Sequence, residues 1–275
     1  MTPAVASGLS TGWLALREPA DAAARSVDLV ELLSGPHGFE PRVVLHDLGA
    51  GTGSMARWLA PQLPGRQHWM LHDRDRGLLE VAVRTPPNDA AGRPVAVTSV
   101  PGELDDLTGA ELAGATVVTA SALLDMLTAA QVERLSTVCA ATGATLLLTT
   151  TVTGVVALSP VDDLDGALCG AFNEHQRRAG RLGPDAADAA AAALTSAGYR
   201  VTTRRAPWRL GPADADLIRA WLRGWVEAAV NQRPDLRPAG AGYLRRRAGQ
   251  LDNAGLRVVV DHVDLFAVPD RAVAS

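Results

Sequence analysis

The sequence predicts an α/β protein: a mostly parallel sheet of seven strands, covered by helices on both faces and extended by helical segments as a cap. Three observations lead there. Apolar runs of strand length alternate with alanine-rich stretches of helical length, the pattern of a parallel sheet wound through crossover helices. One such run, Val43-Val44-Leu45-His46-Asp47-Leu48, passes directly into the alternating glycines Gly49, Gly51 and Gly53 and then into a helical stretch. Finally, a chain of 275 residues with 47% hydrophobic content is long and apolar enough to bury one full core as a single domain, 1–275.

Taken in order, the chain opens with an N-terminal helical segment, 1–40, whose helix is expected over 19–34 because Pro19 suits a first helical turn. Asp21 and Arg25 are four apart there and can pair on one face, with Arg17 joining from the preceding loop. Strands are expected at 43–47, 67–73, 94–100, 115–120, 143–151, 199–206 and 256–267, each a short β-branched or apolar run bounded by polar or turn residues. Helices are expected between them at 53–61, 76–84, 128–141, 185–197 and 213–230. Two stretches exceed what a minimal alternation needs, 154–184 and 207–255, and both are expected at the carboxyl edge of the sheet, where open α/β folds bind ligands. The first carries Leu164, Leu168 and Phe172 at helical spacing; the second carries an apolar face of Leu217, Ile218, Trp221, Leu222, Trp225 and Ala229, then a short helix at Tyr243-Leu244-Arg245-Arg246-Arg247. A lid over a ligand or a homodimer surface fits such segments.

The glycine-rich turn is the candidate ligand cradle. Glycine adopts backbone angles that side-chained residues resist and lets the main chain approach a ligand closely, and the helix start at Ser54 offers free amides. Gly51-Thr52-Gly53-Ser54-Met55-Ala56 also satisfies the dinucleotide pattern G-x-G-x-x-A, so the glycines alone leave the nucleoside open. Asp47, two residues ahead of the first glycine, suits a positively charged amino-acid ligand better than a pyrophosphate. Asp73, at the end of the second strand, can accept both hydroxyls of a ribose in either case.

Through Asp47-Leu48-Gly49-Ala50-Gly51-Thr52-Gly53 and Asp73-Arg74-Asp75-Arg76-Gly77-Leu78-Leu79-Glu80-Val81-Ala82, the chain resembles the class I S-adenosylmethionine-dependent methyltransferases, over roughly residues 40 to 155. Pro101-Gly102-Glu103-Leu104 and Ala115-Thr116-Val117-Val118-Thr119-Ala120-Ser121 match the ends of strands three and four; the family often has Asp where Ala115 stands. The resemblance implies a Rossmann-like sheet whose last strand inserts antiparallel between the fifth and sixth. It implies S-adenosyl-L-methionine as cofactor, held by Asp47, Gly49, Ala50, Gly51, Gly53, Asp73, Arg74, Glu103, Leu104 and Ala120, with Glu103 near the adenine. The segment before strand one often closes over the methionine end in this family, which makes Arg25 a candidate for the cofactor carboxylate against an ordinary surface ion pair.

The expected reaction is methyl transfer to an oxygen or nitrogen of a small-molecule acceptor. A non-catalytic binding protein and a nicotinamide-dependent oxidoreductase are the alternatives. His175 is the candidate general base, since histidine titrates near working pH, against a packed or surface role beside Phe172. Asp125 either faces substrate or caps the helix beginning near Thr128, and strand alternation places His262 and Asp264 on one face as a structural pair. Trp13, Trp208, Trp221 and Trp225 either line an apolar pocket or join the core.

Composition excludes other classes. All 26 basic residues are arginine, so neither a Schiff-base lysine nor a phosphate-loop lysine exists. Six histidines and two cysteines, without C-x-x-C spacing, support no metal site and no disulfide framework, and inert packing is expected for Cys139 and Cys169. There is no Asn-Pro-Pro-Tyr/Phe motif of DNA amino-methyltransferases. No apolar run approaches a membrane span and no signal layout is present, which predicts a cytoplasmic protein without a membrane partner. Residues 200–275 hold 13 arginines against 8 acids, a bias that admits an anionic acceptor, while a net charge of −4 and the lack of an RNA-binding motif argue against nucleic acid.

Overall fold

In the computed structural model, residues 10–34 and 42–270 are described, and their eight strands form one sheet. The strands are β1 (Arg42–Leu48), β2 (Arg66–Asp73), β3 (Ala96–Pro101), β4 (Val117–Ser121), β5 (Thr145–Ser159), β6 (Tyr199–Arg205), β7 (Trp208–Leu210) and β8 (Arg257–Pro269). They run in the order β3-β2-β1-β4-β5-β8-β6, with β7 paired to the start of β8. Neighbours from β3 through β5 are parallel, and β8 lies antiparallel between β5 and β6, as the resemblance implied. The chain winds outward from β1 to β3, then returns to β4 on the other side of β1. That reversal leaves a crevice beyond the carboxyl ends of β1 and β4.

The helices are α1 (Thr11–Ala24), α2 (Val27–Ser34), α3 (Ser54–Leu59), α4 (Arg76–Arg84), α5 (Ala129–Thr142), α6 (Asp165–Gln176), α7 (Ala186–Ser196), α8 (Ala215–Gln232) and α9 (Arg237–Asp252). Strands buried on both faces read as continuous apolar runs, and two core clusters result. Leu45, Trp69 and Leu71 pack with Leu29 and Leu59 on one face; Leu48, Val118 and Leu146 pack with Leu135 and Leu194 on the other. A third cluster gathers Ile218, Trp225 and Tyr243 with Leu158, Leu210 and Val258 from the outer ends of β5, β7 and β8.

Three expectations are corrected. The helix placed at 19–34 is two helices, and it begins earlier, because the Ser10 hydroxyl accepts from the Trp13 amide at 3.2 Å as an N-cap. Pro19 therefore sits inside α1, where it forfeits one ladder hydrogen bond. The chain breaks at Arg25-Ser26 because the Ser26 amide donates to buried Asp264 of β8 at 2.8 Å instead of continuing a helix. Residues 1–9 and 35–40 of the N-terminal segment lie outside the described residues.

Second, 154–159 is strand and not helical insertion: β5 continues to Ser159, with register shifts against β8 between 148 and 151 and between 152 and 156. Third, the short helix at 243–247 is the middle of the 16-residue α9, and two of its arginines pair with acids in and just before α6. Arg246 pairs with Asp162 at 2.7 Å, and the fully buried Arg247 bonds Asp165. With Arg204, which pairs with Asp28, three arginines of this third meet acids outside it and reduce its basic surplus.

Candidate functional site

A cavity of about 490 Å³ opens at the carboxyl ends of β1, β2 and β4, walled by α1 on one side and by residues 100–107 on the other. The turn after β1 forms its floor. Gly49, Gly51 and Gly53 have φ of +66°, +53° and +84°, the left-handed region where glycine is favoured. A Cβ on Gly51 would lie 3.3 Å from Leu14 of α1, and one on Gly49 would lie 3.1 Å from Leu123 after β4. The bare backbone thus lets three elements close on one space.

Hydrogen bonds hold the turn. The Ala50 amide donates to the His72 carbonyl at 2.9 Å, and the Gly51 amide donates to Asp73 Oδ2 at 2.8 Å. Asp73 Oδ1 accepts from the Asp75 amide at 2.9 Å. A carboxylate has about four acceptor positions, so half-buried Asp73 keeps lone pairs for a ligand after fixing the loop. Asp47 differs. It is 1% exposed, its Oδ1 accepts from the Thr119 hydroxyl at 2.7 Å, and its Oδ2 has no partner. Burial pushes its carboxyl up to about 7, against the opposing effects of the Thr119 bond and the Arg25 charge.

Ala50, Arg74, Glu103 and Leu104 also face the cavity. Gly53 and Ala120 do not: the Cβ position of Gly53 is 3.1 Å from Ala82 of α4, and Ala120 is buried within β4.

No family model and no curated protein sequence matches the chain. Among solved structures it is similar to the cyclopropane synthase MmaA2 from Mycobacterium tuberculosis, at 14% identity over 93% of this chain and 94% of that one, with a TM-score of 0.50. It is likewise similar to the YcgJ protein from Bacillus subtilis, at 11% identity over 89% and 99% of the two chains, with a TM-score of 0.50. The chain has the class I S-adenosylmethionine-dependent methyltransferase fold. An S-adenosylmethionine-dependent methyltransferase from Geobacter sulfurreducens, solved with S-adenosylhomocysteine, is 17% identical over 95% and 99% of the two chains, with a TM-score of 0.44.

Within this methyltransferase fold, several candidates stand elsewhere than expected. Arg25 does not face the cavity; it is 3% exposed behind the glycine turn, and of the two α1-region arginines it is Arg17 that lines the cavity wall. Asp21 pairs with Arg17 at 2.9 Å and not with Arg25, because α1 ends at Ala24 and the Trp208 indole holds Asp21 from the other side at 3.0 Å. His175 is buried on α6, away from the cavity, with Nδ1 unpartnered; burial and the charges of Arg178 and Arg181 lower its pKa.

His262 makes no pair with Asp264. Its ring lies 5.2 Å from that of Trp208 and burial lowers it to about 4, while Asp264 accepts from the amides of Ser26 and Thr150, each at 2.8 Å. Asp125 is no cap either: Thr128 and Gln131 form the capping box of α5, and half-buried Asp125 feels the charges of Arg17 and Arg181. Trp208 and Trp225 belong to the third core cluster, with Trp13 and Trp221 packed against it, so none lines the cavity. Burial pushes the Cys139 thiol up to about 12 and raises that of Cys169, so both stay protonated. Among the described residues no cluster suits a metal ion, and no helix is long and apolar enough to cross a membrane.

Sequence reasoning passed over Leu14, Ser121, Leu123, Met126 and Arg181, all of which face the cavity. A usable signal existed only for Ser121, directly after the fourth apolar run. Leu14 stands on α1, and Leu123, Met126 and Arg181 come from connecting segments whose course no local pattern encodes. Ala122 and Thr150 beside them have φ of +52° and +60°, strained for side-chained residues, and such strain concentrates at functional edges.

Proposed function

We propose that this protein binds S-adenosylmethionine in the cavity and transfers its methyl group to an oxygen or nitrogen of a small-molecule acceptor. The observation that carries the reading is Asp47 Oδ2: a buried carboxylate oxygen without a partner, beside a glycine turn and facing a cavity, is completed by a cationic ligand. The ammonium of the methionine end supplies that cation. Asp73 accepts the ribose hydroxyls with its remaining lone pairs, and Glu103 and Leu104 border the adenine. Arg17, which stands where Arg25 was expected, is the candidate for the cofactor carboxylate.

When bound, the sulfonium supplies an already activated methyl group. The protein's own work is then alignment and exclusion of water. Leu14, Leu123 and Met126 give the cavity apolar cover near the turn. Among the described residues no histidine is free for proton removal there: His72 faces the cavity, but its Nε2 lies 2.9 Å from His46 Nδ1, and burial lowers the pKa of both. Positioning alone therefore suits an acceptor that needs little base assistance. Arg181 makes no ion pair among the described residues, which favours an acceptor with an anionic group.

Isothermal titration tests this directly. S-adenosylhomocysteine should bind the wild-type protein, and Asp73→Ala should weaken it by at least about 10-fold, the loss of a hydrogen bond to a charged group. Binding of NADH with indifference to S-adenosylhomocysteine would overturn the proposal.

A further inference from the structure

The geometry points to Arg25 as a positioning residue for the cavity: from behind the glycine turn its guanidinium ties the start of α3 to the end of β4 and supplies the positive charge opposite Asp47. The inference rests on the cofactor reading above and assigns work to a side chain that does not touch the ligand.

Three contacts define the placement. Arg25 Nη2 donates to the Ser121 hydroxyl at 2.9 Å and to the Ser54 hydroxyl at 3.4 Å, while Nη1 donates to the Ser54 carbonyl at 3.4 Å. The guanidinium stacks over the Trp58 ring at 5.3 Å, and its Nε has no partner. Ser54 and Ser121 both face the cavity, so Arg25 holds two walls from one step behind them. A fully desolvated guanidinium is costly unless compensated, and here hydroxyl and carbonyl dipoles, with no direct ion pair, provide the contacts.

The charge balance explains why an arginine sits there. Asp47 on β1, Asp21 on α1 and Asp264 on β8 surround it with three buried carboxyls. Arg17 neutralises Asp21 directly, and two backbone amides hold Asp264. Asp47 has only the Thr119 hydroxyl, with Asp73 on β2 as a like charge on its far side. Arg25 is thus the cation on which an ionised Asp47 depends until a cationic ligand arrives, and only the ionised form pairs with an ammonium.

Affinity for S-adenosylhomocysteine, measured by calorimetry from pH 5 to pH 8.5, reads this dependence. The wild-type affinity should rise with pH toward tenfold per unit and level off above a midpoint. In Arg25→Met the midpoint should move upward by about one unit or more, with an affinity loss of about tenfold at pH 7, and Arg25→Lys should restore most of the wild-type profile. Arg25→Gln, which keeps an amide donor for Ser121, should show the same upward shift and serves where Arg25→Met does not fold. A neutral variant with the wild-type midpoint, or a loss uniform across pH in both neutral and lysine variants, overturns the inference. Absence of wild-type binding at every pH would instead overturn the cofactor reading itself.

Discussion

At the residue scale, Asp47 concentrates the tension of the site. A carboxyl whose folded pKa lies near 7, above an unfolded value near 3.8, holds its proton more tightly in the folded protein. Linkage then runs opposite to that of a salt-bridged aspartate: between about pH 4 and pH 7 the unfolded state carries less proton than the folded state, so ligand-free stability falls as pH rises. Asp47→Asn should therefore raise the melting temperature of the ligand-free protein at pH 7.5 more than at pH 4.5, while weakening S-adenosylhomocysteine strongly at pH 7.5 and little at pH 4.5. A variant whose stability gain is the same at the two pH values would show that Asp47 is ionised throughout. The glycine turn makes the companion prediction. Gly51→Ala meets a left-handed φ and a contact 3.3 Å from Leu14, and should cost about 1–2 kcal/mol in urea denaturation along with cofactor affinity. These residues were readable because Asp47, Asp73 and the glycines sit at strand ends, where a short local pattern carries their geometry. Arg17 and Arg25 were not separable, because both are four residues from Asp21 and only the end of α1 decides which pairs with it.

At the element scale, the placement of β1, β2, α4 and α5 followed from periodicity and turn chemistry, and the antiparallel place of the last strand from the resemblance. The outer ribbon did not. Gly154 reads locally as a strand terminator, yet β5 passes through it with φ +77° because a side chain there would collide with α6 and the following segment. Its Cβ would fall 2.7 Å from Asn173 Nδ2 and 2.7 Å from Pro184 Cβ, and Asn173 Nδ2 donates to the Gly154 carbonyl at 2.9 Å. The glycine is demanded by tertiary packing, which no window of sequence displays. Gly154→Ala should accordingly destabilise by about 2–4 kcal/mol, combining overpacking with backbone strain. Gly143→Ala, at the end of α5 with φ +68° and open space around its Cβ position, should cost only about 1 kcal/mol. Equal losses in chemical denaturation would remove packing as the reason for Gly154.

At the scale of the whole molecule, the arginine-only basic complement is spent mostly on internal order, and that is the part composition could not reveal. A count of charges along the chain cannot say which of them meet across the fold. Arg247 is the clearest case: it is fully buried beneath the third core cluster, bonds Asp165, the Pro160 carbonyl and Gln250, and lies 5.0 Å from the centre of the Tyr243 ring. Tyr243 donates to the same Asp165 oxygen at 2.7 Å, so one carboxylate joins α6 to α9 at two points. Removing Arg247 leaves the partly buried Asp165 without its counter-charge, a loss of up to about 3–5 kcal/mol, whereas removing both charges together restores neutrality. Arg247→Met should therefore lower stability strongly, and Arg247→Met combined with Asp165→Leu should recover a substantial part of it in a double-mutant cycle. Since this cluster lies outside the cavity, S-adenosylhomocysteine affinity should stay within about twofold of wild type in every variant that folds. A large affinity change with preserved stability would instead mean that the α6–α9 layer is coupled to the ligand, and that the third cluster serves the site as well as the fold.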